Sequence, residues 1–102
     1  MLELWQTEWC PASRRVRQRL TELGVDYVIR QVPVEKVERT ALVAATGTTV
    51  IPTLVHDQHG VLVGEDAIRD WLDETIAESP GADAHKLKAE KAHRRYLEEA
   101  CR

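Results

Sequence analysis

The 102 residues include no phenylalanine and a single methionine, and the aromatic complement is three tryptophans and two tyrosines. A core must therefore be assembled mainly from valine, leucine and isoleucine, whose placement is readable from periodicity. Cysteine is almost as scarce. Cys10 and Cys101 lie at opposite ends of the sequence, too few and too far apart for a disulfide framework, which predicts a reducing, cytoplasmic setting. No apolar run approaches the length of a membrane span, and no charged, then apolar, then small-residue leader precedes the first strand-like run, so neither membrane nor secretion is expected. The formal net charge is −3, and although arginines cluster locally, that balance offers no footprint for nucleic acid. Repeats and low-complexity tracts are lacking too, and the length admits one domain with a real core rather than two.

What the sequence does have is a regular succession of patterns. Leu2 to Gln6 reads as a short apolar strand. From Ala12 the apolar residues Ala12, Val16, Leu20 and Leu23 keep helical spacing as far as Gly24, a C-cap signal. Val25 to Val32 carries the β-branched and aromatic residues of a second strand, completing a βαβ unit with a right-handed crossover and parallel strands. Pro33 to Ala45 reads as a second helix, with Val34, Val37 and Ala41 on one face and Gly47 closing it. Thr53 to His56 and Val61 to Val63 form a hairpin around Asp57-Gln58-His59-Gly60. Gly64 precedes a third helix, Glu65 to about Ala77, whose apolar face is Ala67, Ile68, Trp71, Leu72 and Ile76. After a break at Ser79-Pro80-Gly81, Ala84 to about Ala100 reads as a last, highly charged helix. Its run from Lys86 to Arg95 is either a solvated face or a dimer surface. The pattern is α/β: a four-stranded mixed sheet flanked by helices over residues 1–77, then a linker and C-terminal helical extension over 78–102.

The chemistry concentrates in Trp9-Cys10-Pro11-Ala12-Ser13. Cys10 falls where a strand gives way to a helix, and Pro11 fits the first helical position, where a missing N–H costs nothing. The amides of Ala12 and Ser13 then lack intrahelical partners and can donate to a sulfur anion, a charge that the helix dipole also favours. Cysteines so placed have pKa values lowered from about 8.5 to roughly 3.5–7.5, which makes them nucleophiles at neutral pH. Arg14, Arg15 and Arg17 add positive field. The alternative is a cysteine that merely fills space.

In this order of elements, Cys10-Pro11-Ala12-Ser13 at the first helix, Val50-Ile51-Pro52 before the third strand and Gly64-Glu65-Asp66 opening the third helix resemble the glutaredoxin family. They are equally similar to the N-terminal domain of glutathione S-transferases, which shares the thioredoxin-like fold. The likeness covers residues 1 to 77. It implies that Cys10 takes a glutathionyl group from a mixed disulfide and that a second glutathione releases it. Ser13 stands where dithiol members carry a second cysteine, so the route implied is a monothiol one. There Ser13 either donates to the sulfur or is a plain polar residue of the first turn. The resemblance further implies glutathione or an analogous low-molecular-weight thiol as cosubstrate, disulfide-bearing proteins or small molecules as substrates, no metal, and a monomer or weak dimer. The competing reading is a non-catalytic glutathione-binding module of the transferase type.

Other roles come from the same resemblance. It places a cis bond before Pro52, where sequence alone favours trans, and leaves the N–H and C=O of Ile51 to pair with the cysteinyl part of the tripeptide. It places the γ-glutamyl end at Glu65 and Asp66, its carboxylate on helix-terminal amides and its ammonium on Asp66 first and Glu65 second. Dipole complementarity alone also explains both acids. Trp9 is either a flat wall for a substrate or a packing residue. Many family members carry a lysine three residues before the cysteine; here that position is Thr7, and Arg39 or Lys36 on the second helix is either a substitute cation for the glycyl carboxylate or simply a solvated helix charge. His56, His59, His85 and His93 show no metal-ligand spacing with cysteine, and Pro11-Ala12 departs from the Cys-Gly-Phe-Ser of cluster-holding relatives. Cys101 is an idle or a resolving thiol.

Overall fold

The computed structural model describes residues 1–58 and 60–76. His59 and everything expected over 77–102, including the linker, the last helix, His85, His93 and Cys101, lie outside the described residues. The elements run β1 (Leu2–Gln6), α1 (Pro11–Glu22), β2 (Tyr27–Gln31), a 3-10 turn (Lys36–Glu38), α2 (Thr40–Thr46), β3 (Thr53–His56), β4 (Gly60–Val63) and α3 (Glu65–Thr75). The four strands form one mixed sheet in the order β2-β1-β3-β4, with β1 parallel to β2 and both remaining pairs antiparallel.

Alternation along β1 decides which side of the sheet becomes the core. Leu2, Leu4 and Gln6 point to one face and are buried, whereas Glu3 and Trp5 point to the other and are half-buried. Leu54, opposite Leu4 in the register, joins Leu2 and Leu4. Val16 and Leu20 of α1 and Ile68 and Leu72 of α3 close over them, all four fully buried. At about 25 cal/mol per Å², each such aliphatic side chain contributes about 1.5–3 kcal/mol to folding before entropy is counted. Leu42 of α2, also buried, lies outside this cluster. Helix α1 ends as its sequence demands. Gly24 has φ +68°, and the Val25 and Gly24 N–H groups donate to Leu20 and Thr21 carbonyls at 3.0 Å, a closure that needs a residue free to turn left-handed.

The helix expected from Pro33 to Ala45 is corrected. Only Thr40–Thr46 is α-helical, Val34 and Val37 are exposed rather than packed, and the buried residue is Leu42. Arg39 explains the difference. Its guanidinium, almost wholly buried, donates to the carbonyls of Pro33 at 2.9 Å, Val34 at 2.8 Å and Thr49 at 2.7 Å. The first two are the acceptors that a helix begun at Pro33 would need, so the fork holds that segment open and ties it to the loop before β3. Arg39 is therefore unavailable to a ligand carboxylate. Helix α3 ends at Thr75 rather than Ala77.

Arg39→Ala leaves three carbonyls to find new partners and is expected to destabilise the fold by about 2–4 kcal/mol. Arg39→Lys, which cannot fork, should recover less than half of that. Urea unfolding of the three proteins decides the matter, and equal midpoints would remove the role given to Arg39.

Candidate functional site

Sheet register brings three chain segments to one end of the molecule. Trp5, near the exit of β1, lies opposite Thr53 at the entry of β3, and Thr53 lies opposite Val63 at the exit of β4. The β1–α1 loop, the Ile51-Pro52 turn and the start of α3 must then be neighbours. Two contacts fix them. The Gly64 N–H donates to the Pro52 carbonyl at 2.9 Å, and Arg15 of α1 forks onto Glu65 of α3 through Nε at 2.6 Å and an Nη at 2.8 Å. The Ile51–Pro52 peptide bond is cis. Neither the N–H nor the C=O of Ile51 makes a hydrogen bond among the described residues.

Cys10 is the N-cap of α1, extended at φ −79° and ψ 119°, with Pro11 in the first helical turn. Its sulfur accepts the Ser13 N–H at 3.4 Å and is partly exposed. Burial pushes the thiol up, but the Ser13 hydroxyl, the Ser13 and Ala12 amides and the Arg15 charge together outweigh that, holding Cys10 below its ordinary pKa. The Ser13 hydroxyl is fully buried and has no partner of ordinary hydrogen-bond geometry. It acts on the sulfur as a nearby dipole, and the backbone N–H is the formed bond.

The first turn of α3 holds the two acids in different states. Glu65 is mostly buried and gripped by Arg15 and, at 3.3 Å, by Arg69, so its carboxyl stays below the usual carboxylate range. Asp66 is exposed and makes no side-chain hydrogen bond or ion pair among the described residues, although it feels the Arg15 charge. An incoming ammonium group would therefore meet Asp66 without displacing an existing pair. Trp9 is 81% exposed and walls a recess that opens on Cys10. His56, by contrast, packs its ring on Trp71 with centroids 5.2 Å apart, and among the described residues no group of His, Cys, Asp and Glu is arranged to hold a metal ion. Among them, too, no helix is long and apolar enough to cross a membrane.

Two positioning side chains were not singled out in the sequence. Arg15 was read only as part of a positive field, yet it links the thiol to α3. Gln6 is fully buried at the exit of β1, where its amide donates to Glu8 at 3.0 Å and Gln31 at 3.1 Å and its oxygen accepts from Arg17. The available signal was its polarity at a position where strand alternation calls for an apolar residue.

Residues 4–80 match the sequence profile of the glutathione S-transferase N-terminal domain. Among solved structures, FzlA from C. crescentus is 29% identical with a TM-score of 0.65, covering 78% of this chain and 36% of its own. Glutathione S-transferase 1-6 from Anopheles dirus species B is 28% identical with a TM-score of 0.65, covering 76% of this chain and 37% of its own. A glutathione S-transferase from Sinorhizobium meliloti, at 24% identity and a TM-score of 0.66, shares the fold over 95% of this chain and 45% of its own. The chain thus spans less than half the length of each of these three proteins. No curated protein matches its sequence.

Because only the thiolate reacts with iodoacetamide, alkylation of the Cys10 peptide followed by mass spectrometry against pH should show a midpoint below that of an unstructured cysteine peptide. Ser13→Ala should move that midpoint up by about half a pH unit or more. The sign for stability follows from the lowered folded-state pKa: the ionised thiol contributes above the unfolded pKa, and the contribution is lost as pH falls through the folded one. A midpoint equal to that of the free peptide would contradict the geometry of the cap.

Proposed function

The chain belongs to the glutathione S-transferase N-terminal domain family, and from that premise we propose that it is a monothiol oxidoreductase acting on mixed disulfides of glutathione or an analogous low-molecular-weight thiol. The observation that carries this reading is the partly exposed Cys10 sulfur, capped by the Ser13 N–H and held below its ordinary pKa. A sulfur at the cap is itself a nucleophile, because the cap holds its pKa below the ordinary value.

The steps balance without any further oxidant. The Cys10 thiolate attacks the glutathione sulfur of RS–SG. A Cys10–glutathione disulfide forms, the RS–S bond breaks, and RS⁻ leaves with the electron pair and takes a proton from water. A second glutathione thiolate then attacks the glutathione sulfur on Cys10, giving oxidised glutathione and restoring the Cys10 thiolate. Pro11 lets the helix begin directly behind the sulfur without an N–H to satisfy, and Ser13 steadies the anion. The free N–H and C=O of Ile51, before cis Pro52, suit pairing with the cysteinyl residue of the tripeptide. The amides opening α3 suit the γ-glutamyl carboxylate, and Asp66 its ammonium. With Arg39 committed to backbone carbonyls, Lys36, in the 3-10 turn before α2, is the remaining candidate of the two for the glycyl carboxylate, and Trp9 borders the departing group.

Exposure to oxidised glutathione should give one glutathionyl adduct, located on the Cys10 peptide and lost in Cys10→Ser. Turnover of a glutathionylated peptide should vanish in that variant. In Asp66→Asn the glutathione concentration for half-maximal rate should rise about five-fold, as for one exposed charge pair. Saturable glutathione binding without adduct or turnover would replace this reading with that of a non-catalytic binding module.

A further inference from the structure

The recess beside Trp9 contains a cation, Arg14, that no acid neutralises among the described residues. It measures about 340 Å³ and is walled by Glu8, Trp9, Cys10, Arg14, Arg15 and Gln18, all from the β1–α1 loop and α1. Ile51, Pro52 and Asp66 do not line it, so those groups assigned to glutathione lie outside this recess. Two of its three charged side chains are already matched. Arg15 is forked onto Glu65 at 2.6 and 2.8 Å, and Glu8 accepts from Gln6 at 3.0 Å and faces Arg17 at 3.7 Å. Arg14 is exposed, and its side chain makes no ion pair or hydrogen bond among the described residues.

We propose that this recess receives the leaving-thiol half of the substrate and selects for one that is anionic, with Arg14 as the residue that sets the preference. This rests on Cys10 being the reacting thiolate. An ionised Cys10 repels an incoming anion, and among the described residues Arg14 is the one recess charge left to offset that repulsion. A unit charge several ångströms away in a water-filled recess changes the local concentration of an anion by about three- to ten-fold. The substrate class indicated is a mixed disulfide whose departing thiol carries a carboxylate or similar anion close to its sulfur, such as an acidic peptide thiol. Gln18 and the Glu8 side chain, both polar, border the same space and leave room for its hydration.

The test uses the full chain with Cys101→Ser, so that one thiol reports. Second-order rates are measured with three mixed disulfides of glutathione, whose departing thiols are neutral 2-mercaptoethanol, anionic 2-mercaptoethanesulfonate and cationic cysteamine. In each case the Cys10 thiolate attacks the glutathione sulfur, a Cys10–glutathione S–S bond forms, the original S–S bond breaks, and the second thiol leaves as its thiolate with the electron pair. The readout is the ratio of the anionic to the neutral rate, in which any change in thiolate content cancels. Arg14→Gln should lower that ratio about three- to ten-fold, Arg14→Lys should retain it, and added salt should shrink the difference between them. The cationic-to-neutral ratio should move the opposite way. An anionic ratio unchanged in Arg14→Gln overturns the assignment of Arg14. A neutral rate no faster than that of a simple thiol at the same pH overturns instead the reading of Cys10 as an activated thiolate.

Discussion

Helix α1 is capped by a sulfur. Serine, threonine, aspartate and asparagine are the usual residues at that position because an oxygen accepts a backbone N–H well, whereas a neutral thiol accepts it poorly. Nothing else on α1 compensates: its first turn holds no acid, and Arg14 and Arg15 stand beside the positive end of the dipole. The cap becomes a good one only when the sulfur carries charge. Thiolate and helix start therefore stabilise one another, and the 3.4 Å contact from the Ser13 N–H is where the two are joined.

That contact would be idle if the surrounding chain left it loose. The exit of β1 is fixed by Gln6, whose buried amide is held on three sides, and the first turns of α1 are fixed by the Arg15 fork to Glu65. One turn further on, Arg19 reaches Asp73 at 2.8 Å, so α1 and α3 are linked both above their shared apolar seam and along it. Exposed ion pairs contribute little each, about 0–1 kcal/mol. Here their value is geometric: they set the azimuth of α1 about its own axis, and with it the direction in which the Cys10 sulfur points.

Strand and helix positions were largely legible in the sequence because they depend on local periodicity. Leu2 to Gln6 and Thr53 to His56 were read to the residue, and the landmarks at Cys10, Pro52 and Glu65 stood in the order that the fold requires. The region from Pro33 to Glu38 was not legible. Val34, Val37 and Ala41 have the spacing of a helix face, but a single side chain, Arg39, takes carbonyls from both sides of the segment, and no pattern of apolar residues encodes such a clamp. The different states of Glu65 and Asp66 were hidden for a related reason. Dipole complementarity makes adjacent acids at a helix start look equivalent, and only the approach of Arg15 from another helix separates them.

Positive charge is distributed unusually for the proposed role. The position three residues before the cysteine is Thr7, almost wholly buried, and Arg39 is committed to the backbone, so neither offers a cation to a glycyl carboxylate. The arginines instead line α1. What remains for the tripeptide is chiefly backbone: the Ile51 N–H and C=O and the opening amides of α3. Groups of that kind recognise an extended amide chain and a carboxylate without reading side chains, so they favour the γ-glutamyl-cysteinyl portion over the glycyl end. In the recess beside Trp9, on the reading proposed above, recognition would fall to side chains, which vary without disturbing the sheet register that assembles the site. On the proposed reading, general thiol binding rests on backbone groups of the fold and substrate choice on exposed side chains of α1.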